Sequence, residues 1–211
     1  MSPVSRQRIT SPYFLMEAID SGKVAIFDTS ALMLGNSISS SRNEIEIDKN
    51  VRYMAYLQSV IRRADNVIST DRLLDEATGV ARRLERERLS QESGALFHII
   101  DALEEKRVYF SDDAQKRIAE FYNDPDLNYF DLEPLDRHVI AVSAFIGTRE
   151  PSVATLSGDH GIVNANLHLA YKERLPVINY RFNGKSARFL IYHHTNCIAC
   201  REKGMGTEPP R

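Results

Sequence analysis

The chain has 211 residues, with 27 Lys and Arg against 29 Asp and Glu, a formal net charge of -2, and 43% hydrophobic residues. That composition excludes a disordered chain, which has too few apolar residues to offset the entropy of ordering, and the length permits a full core without metal or disulfide staples. The near-neutral total also excludes a polycation that holds nucleic acid by bulk charge, while leaving room for a local site.

Residues 1–22 read as a polar lead-in. Lys23 to Asp28 (KVAIFD) is a short buried-strand run, followed by helix-compatible residues from Thr29 and a loop over Ser37 to Asn43. Val51, Met54, Ile61 and Ala64 fall near helical spacing, and Asn66 to Thr70 (NVIST) is a second strand candidate. Thr70 or Asp71 caps a helix with the apolar stripe Leu73, Ala77, Val80 and Leu84. A further helix is marked by Leu96, Ile99, Ile100 and Leu103, and a shorter one, Asp112 to Tyr122, is opened by Ser111. Pro134 begins a helix with Leu135, Val139, Val142 and Ile146 on one face, since a proline's missing donor costs nothing in the first turn. Ser152 to Ser157 (SVATLS) is a strand, Asp159 to Leu175 a helix, and Pro176 to Phe182 the last strand of the core. This alternation implies a parallel sheet covered on both faces, an α/β domain over 23–182. Residues 183–211 read as a C-terminal extension in which Arg188 to His193 could pair as an edge strand.

The two cysteines, Cys197 and Cys200, cannot build a disulfide framework, which points to a reducing, cytoplasmic compartment. No secretory signal pattern is seen, and the longest nearly apolar run, Val139 to Gly147, is far short of the roughly 20 residues that cross a bilayer, so no membrane partner is expected.

Parallel sheets place ligands at the carboxyl ends of their strands, so acids there carry weight. Asp28 ends a buried strand and is followed by Thr29 and Ser30, whose hydroxyls can hydrogen-bond a carboxylate or substrate. Asp159 follows the strand ending at Ser157, in LSGDHG. Asp136 lies in the first turn of the Pro134 helix on the side of Val139 and Ile140, while Arg137 points away. Glu76 borders the apolar stripe of its helix, with Asp75 as the neighbouring alternative. For Asp28 and Asp159 the plain alternative is a helix cap. The four acids are 48, 60 and 23 residues apart, so spacing alone does not bring them together. If they do converge, they repel unless a cation neutralises them, and hard oxygen ligands suit Mg²⁺ or Mn²⁺. Such a site fits metal-assisted phosphodiester hydrolysis.

Asp28 in IFDTSAL, Glu76 in DEATGVARRL, Asp136 in LDRHVIAVSAF and Asp159 in VATLSGDHGI resemble the four ordered acidic motifs of the PIN-domain nucleases, over about residues 23 to 180. The resemblance implies a doubly wound, mostly parallel sheet in a three-layer α/β/α sandwich. It also implies an endoribonuclease dependent on Mg²⁺ or Mn²⁺ held by Asp28, Glu76, Asp136 and Asp159. Ser30 resembles the hydroxyl residue often found near the first Asp. Members are often the toxin of a toxin and antitoxin pair, which makes an antitoxin partner and a homodimer expectations of the resemblance. The alternative is a PIN-like module that binds nucleic acid or protein without chemistry. A haloacid-type phosphatase is disfavoured, because it needs DxDxT and the residue two after Asp28 is Ser30.

Weaker signals remain. His193, His194, Cys197 and Cys200 form HHxxCxxC, whose residue types match zinc, but a tetrahedral site from one short strand is sterically awkward. A zinc shared across a dimer stays open, with His193, Cys197 and Cys200 as candidate ligands. Arg82, Arg83, Arg86 and Arg88 are diluted by Glu85 and Glu87 and read as a solvated helix face. Arg181, Lys185 and Arg188, interleaved with Tyr180, Phe182, Phe189 and Tyr192, read first as core and edge packing, and second as a surface for a phosphate chain and its bases.

Overall fold

A computed structural model describes residues 5–9, 14–33, 44–183 and 188–193, with side-chain placement for 15–33, 44–45 and 47–181. Among the described residues six strands are seen: β1 (Ser5–Ile9), β2 (Val24–Phe27), β3 (Val67–Ile68), β4 (Val153–Ser157), β5 (Val177–Asn183) and β6 (Arg188–His193). The helices are α1 (Phe14–Asp20), α2 (Glu44–Arg63), α3 (Asp71–Arg86), α4 (Ser90–Glu104), α5 (Asp112–Tyr122), α6 (Pro134–Gly147) and α7 (His160–Glu173), with short 3-10 turns at Thr29–Ala31 and Pro125–Tyr129.

The sheet order is β1-β6-β5-β4-β2-β3. β3, β2, β4 and β5 form the expected parallel block, with Ala25 opposite Val67 and Ala154, and Val153 opposite Val177. Side chains alternate across it and sort into two cores. Ala25, Phe27, Ala154, Leu156, Ile178 and Tyr180 pack with α1 to α4, whereas Ile26, Val153 and Val177 face α5, α6 and α7. Because both faces are covered, these strands read as continuous apolar runs in the sequence. Helix starts follow the local chemistry: Thr70 Oγ1 accepts from Leu73 N at α3, Ser111 Oγ from Ala114 N at α5, and Pro134 occupies the first turn of α6.

Two boundaries differ from the sequence reading. The lead-in is part of the fold, since Ser5–Ile9 pairs antiparallel with β6 and α1 buries Leu15, Ala18 and Ile19 in the core. Its signal is weak because SRQRI is a polar strand at the sheet edge, whose partner lies far along the chain. Accordingly β6 is not an edge: it pairs antiparallel with both β5 and β1. Beyond β3 the only further pairing on this side, among the described residues, is one isolated parallel bridge between Ser69 and Arg107. Tyr180 is core, its hydroxyl donating to Ser21 Oγ at 2.6 Å, and Lys185 lies outside the described residues. Among the described residues no helix is long and apolar enough to cross a membrane.

Candidate functional site: an acidic cleft at the switch point

Within the parallel block, the chain moves outward from β2 to β3 on one side and resumes at β4 on the other. The carboxyl ends of β2 and β4 therefore flank a topological switch point, where open α/β sheets leave a crevice. A cleft of about 760 Å³ opens there. Asp28, Glu76, Asp136 and Asp159 all line it, together with Thr29 and Ser30. Four acids spread over 131 residues of sequence thus line one cleft.

Each is held from below by one carboxylate oxygen. Asp28 follows β2 and its Oδ2 accepts from Ser30 N at 3.2 Å, from Ser157 Oγ at 2.9 Å and from Ser30 Oγ. Asp159 caps α7, its Oδ1 accepting from Gly161 N and Ile162 N. Asp136 Oδ2 accepts from Glu133 N at 2.8 Å in the first turn of α6. Glu76, on the second turn of α3, accepts through Oε2 from Thr29 Oγ1 at 2.9 Å. Among the described residues the second oxygen of each carboxylate has no hydrogen-bond donor.

The serines tie the two strand ends together. Ser157 Oγ accepts from Asp159 N at 2.9 Å while donating to Asp28, and Ser30 Oγ accepts from Gly158 N at 2.8 Å. Asp28 N also donates to Leu156 O at 2.8 Å. Ser157 is fully buried and Asp28 nearly so, at 3% exposure, so this network is shielded from water. Thr29 is buried, Ser30, Glu76, Asp136 and Asp159 are half-buried, and Asp75 is exposed; of the two neighbouring acids it is Glu76 that lines the cleft.

Burial pushes the Asp28 carboxyl up against the lowering effect of its three hydrogen bonds, and Asp159 adds repulsion. Burial also pushes Glu76 up to about 6, offset by Thr29 and reinforced by the charges of Asp28 and Asp136. Asp136 likewise rises to about 6, chiefly by burial, with Asp28 and Asp159 contributing repulsion. Mutual repulsion is the signature of acids sharing a site. Among the described residues, however, no three His, Cys, Asp or Glu side chains are grouped so that they could hold a metal ion as they stand.

Four further charged residues line the cleft that the sequence reading did not place there: Asp131 and Glu133, and Arg83 and Arg86, which it read as solvated. The acids sit just before the Pro134 helix, where a short acidic run was the available signal. Of the zinc candidates, His193 is the last residue of β6, and Cys197 and Cys200 lie outside the described residues. His160 opens α7 and is exposed. No protein-family model, curated protein or solved structure matches this chain.

Proposed function

We propose that this chain is a divalent-cation-dependent endoribonuclease, hydrolysing RNA phosphodiester bonds on a PIN-like α/β domain. One observation supports the reading: four acids from different elements line one cleft at the switch point, each anchored by one oxygen and leaving the other without a donor among the described residues. The donor set fits a hard cation in kind, because carboxylate oxygens suit Mg²⁺ or Mn²⁺, and three of the acids are raised chiefly by burial and further by one another's charge, both of which a bound cation would offset. Asp28, Glu76, Asp136 and Asp159 would hold it. When bound, such a cation supplies Lewis acidity to the phosphodiester and favours ionisation of an attacking water.

The chain's own residues do the rest. Ser157 and Ser30 fix the orientation of Asp28, and Thr29 fixes that of Glu76. The Asp159 and Asp136 carboxylates are pinned to the first turns of α7 and α6, so the geometry of the acid set follows the sheet and not the loops. Preorganised groups of this kind spend no reorganisation energy at the moment of reaction.

Asp28→Asn and Asp136→Asn should each abolish Mg²⁺- or Mn²⁺-stimulated cleavage of RNA while far-UV circular dichroism stays unchanged. Full activity in either purified variant overturns the reading. A second reading, a binding module on the same fold without chemistry, is favoured by the acids not standing in a ligating group as placed. Calorimetric titration with Mn²⁺ separates the two, since saturable binding that is lost in Asp28→Asn belongs to the nuclease alone.

A further inference from the structure

The acidic cleft has a cationic end. Along α3, Glu76, Gly79, Val80, Arg83 and Arg86 all line it. At about 100° per residue, positions 79, 80, 83 and 86 fall within about 80° of Glu76 around the helix, whereas position 82 is turned about 120° away. The four-arginine cluster, which the sequence presents as one solvated face, is therefore split by the helix: Arg83 and Arg86 belong to the cleft, and Arg82 and Arg88 do not. At about 1.5 Å of rise per residue, Arg83 and Arg86 lie about 10 and 15 Å along the axis beyond Glu76.

Both arginines are exposed, and among the described residues neither joins an ion pair, although the same cleft is rich in carboxylates. Both stand in the last turn of α3, where a cation also complements the carboxyl end of the helix, and no ion pair among the described residues uses their charge. Between them and Glu76 the helix surface is open: a Cβ added at Gly79 meets no atom within 4 Å. A ligand spanning this cleft must be matched to a cation-demanding acidic end and a cationic end on one line. A single linear polyanion satisfies both, with one phosphate at the acids through a divalent ion and its neighbours on guanidinium forks, which match phosphate oxygens bidentately.

We infer that Arg83 and Arg86 bind backbone phosphates of a single-stranded RNA laid along α3, adjacent to the phosphate at the carboxylates. The inference rests on the nuclease reading for the identity of the phosphate at the acids, while the arginine contacts are a binding property with their own test. The two arginines position the strand and take no part in bond breaking.

Fluorescence anisotropy of a short fluorescein-labelled single-stranded RNA, with Mg²⁺ and a series of salt concentrations, reads the contacts in the Asp136→Asn background. Adding R83Q and R86Q should raise Kd about tenfold or more, and should reduce the slope of log Kd against log salt by about 1.4, at about 0.7 per single-strand phosphate contact. R83K with R86K should keep the slope, and R82Q should change neither quantity. The thermal transition should stay cooperative throughout and shift only slightly, because the replaced side chains are exposed and contribute only through the end of α3. Unchanged Kd and slope in the double Gln variant, an equal loss in R82Q, or no binding by the parent chain overturns the inference. RNA that is bound through these arginines yet never cut by the chain with all four acids overturns the nuclease reading alone. Cleavage indifferent to both arginines overturns this inference alone.

Discussion

Ser157→Ala is the sharpest probe of how the site is assembled. The Ser157 hydroxyl is fully buried, lies 3.3 Å from Ser30 Oγ, and makes two shorter bonds of opposite sense, accepting from Asp159 N at 2.9 Å and donating to Asp28 Oδ2 at 2.9 Å. Alanine removes both while changing little volume. A hydrogen bond to a charged group contributes about 1.5–3 kcal/mol and a neutral one about 0.5–1.5, so the variant should lose about 2–4 kcal/mol. For a chain of this size each kcal/mol moves Tm by about 2–4 °C, which places the shift at about 4–16 °C. Loss of the Ser157 donor also takes away one of the bonds that hold the Asp28 carboxyl down, so its pKa rises further. The assay is thermal unfolding followed by circular dichroism at neutral pH, on Ser157→Ala, Ser30→Ala and the double variant. Because Ser30 and Ser157 donate to the same oxygen, the two effects should fail to add. A Ser157→Ala Tm within about 2 °C of the parent, or strict additivity with Ser30→Ala, refutes the claim that this network holds the two strand ends together.

Two further outcomes follow from the same geometry. Glu76 and Asp136 have folded-state pKa values near 6, above their ordinary 4.5 and 3.8, so between about pH 4 and 6 the folded chain binds more protons than the unfolded one and stability falls as pH rises through that window. In a chelator, lowering the pH from about 7.5 to 5 should therefore raise the unfolding free energy read from urea titration by about 1 kcal/mol, and the midpoint with it, after discounting for the partial exposure of both groups. Saturating Mn²⁺ at the higher pH should give a similar gain that shrinks at the lower one, and a midpoint insensitive to both changes contradicts the shared-site electrostatics. At Gly22, an added Cβ would lie 2.5 Å from Val24 O and 2.7 Å from Ala154 N, both main-chain atoms at the β2–β4 pairing. Gly22→Ala should thus lower stability by about 1–3 kcal/mol in urea unfolding, and a neutral result would show that the strands can part at this point.

Much of the fold was legible because its signals are local. KVAIFD and SVATLS are strands covered on both faces, so their apolar runs are unbroken, and Thr70, Ser111 and Pro134 mark helix starts by satisfying or lacking a donor. β1 was illegible for the opposite reason: Ser5 to Ile9 is stabilised by pairing with Phe189 to His193, and nothing in five polar-rich residues encodes a partner that distant. α1 is only seven residues long, too short for periodicity to stand out. At the site, the four acids were singled out by their places at strand ends and helix starts, but their convergence was a matter of topology. Arg83 and Arg86 were hidden by Glu85 and Glu87, which make the segment look uniformly solvated. The spacing of 7 and 10 residues from Glu76 was present in the sequence, and became informative only once Glu76 was known to face a cleft.

Helix capping and site formation, which the sequence sets against each other at Asp28 and Asp159, are one arrangement in this fold. In a parallel sheet every strand ends on the same edge, and the helix that follows begins there, so residues that satisfy the first backbone donors of successive helices are brought to a common crevice. Asp28 serves the turn after β2, Asp159 the start of α7, and Asp136 the first turn of α6, each through one oxygen. The second oxygen is then presented where the partial positive charge of the helix start already favours an anion, yet burial and the neighbouring acids outweigh that help at Asp28 and Asp136. The two roles differ in what they demand chemically. A cap needs an oxygen that accepts, which Asn supplies about as well as Asp, whereas a cation site needs the negative charge. Asn at these positions therefore separates them: stability should be retained or should rise as repulsion is relieved, while saturable divalent binding is lost. A structural cap alone would leave Mn²⁺ binding unmoved by the same substitution.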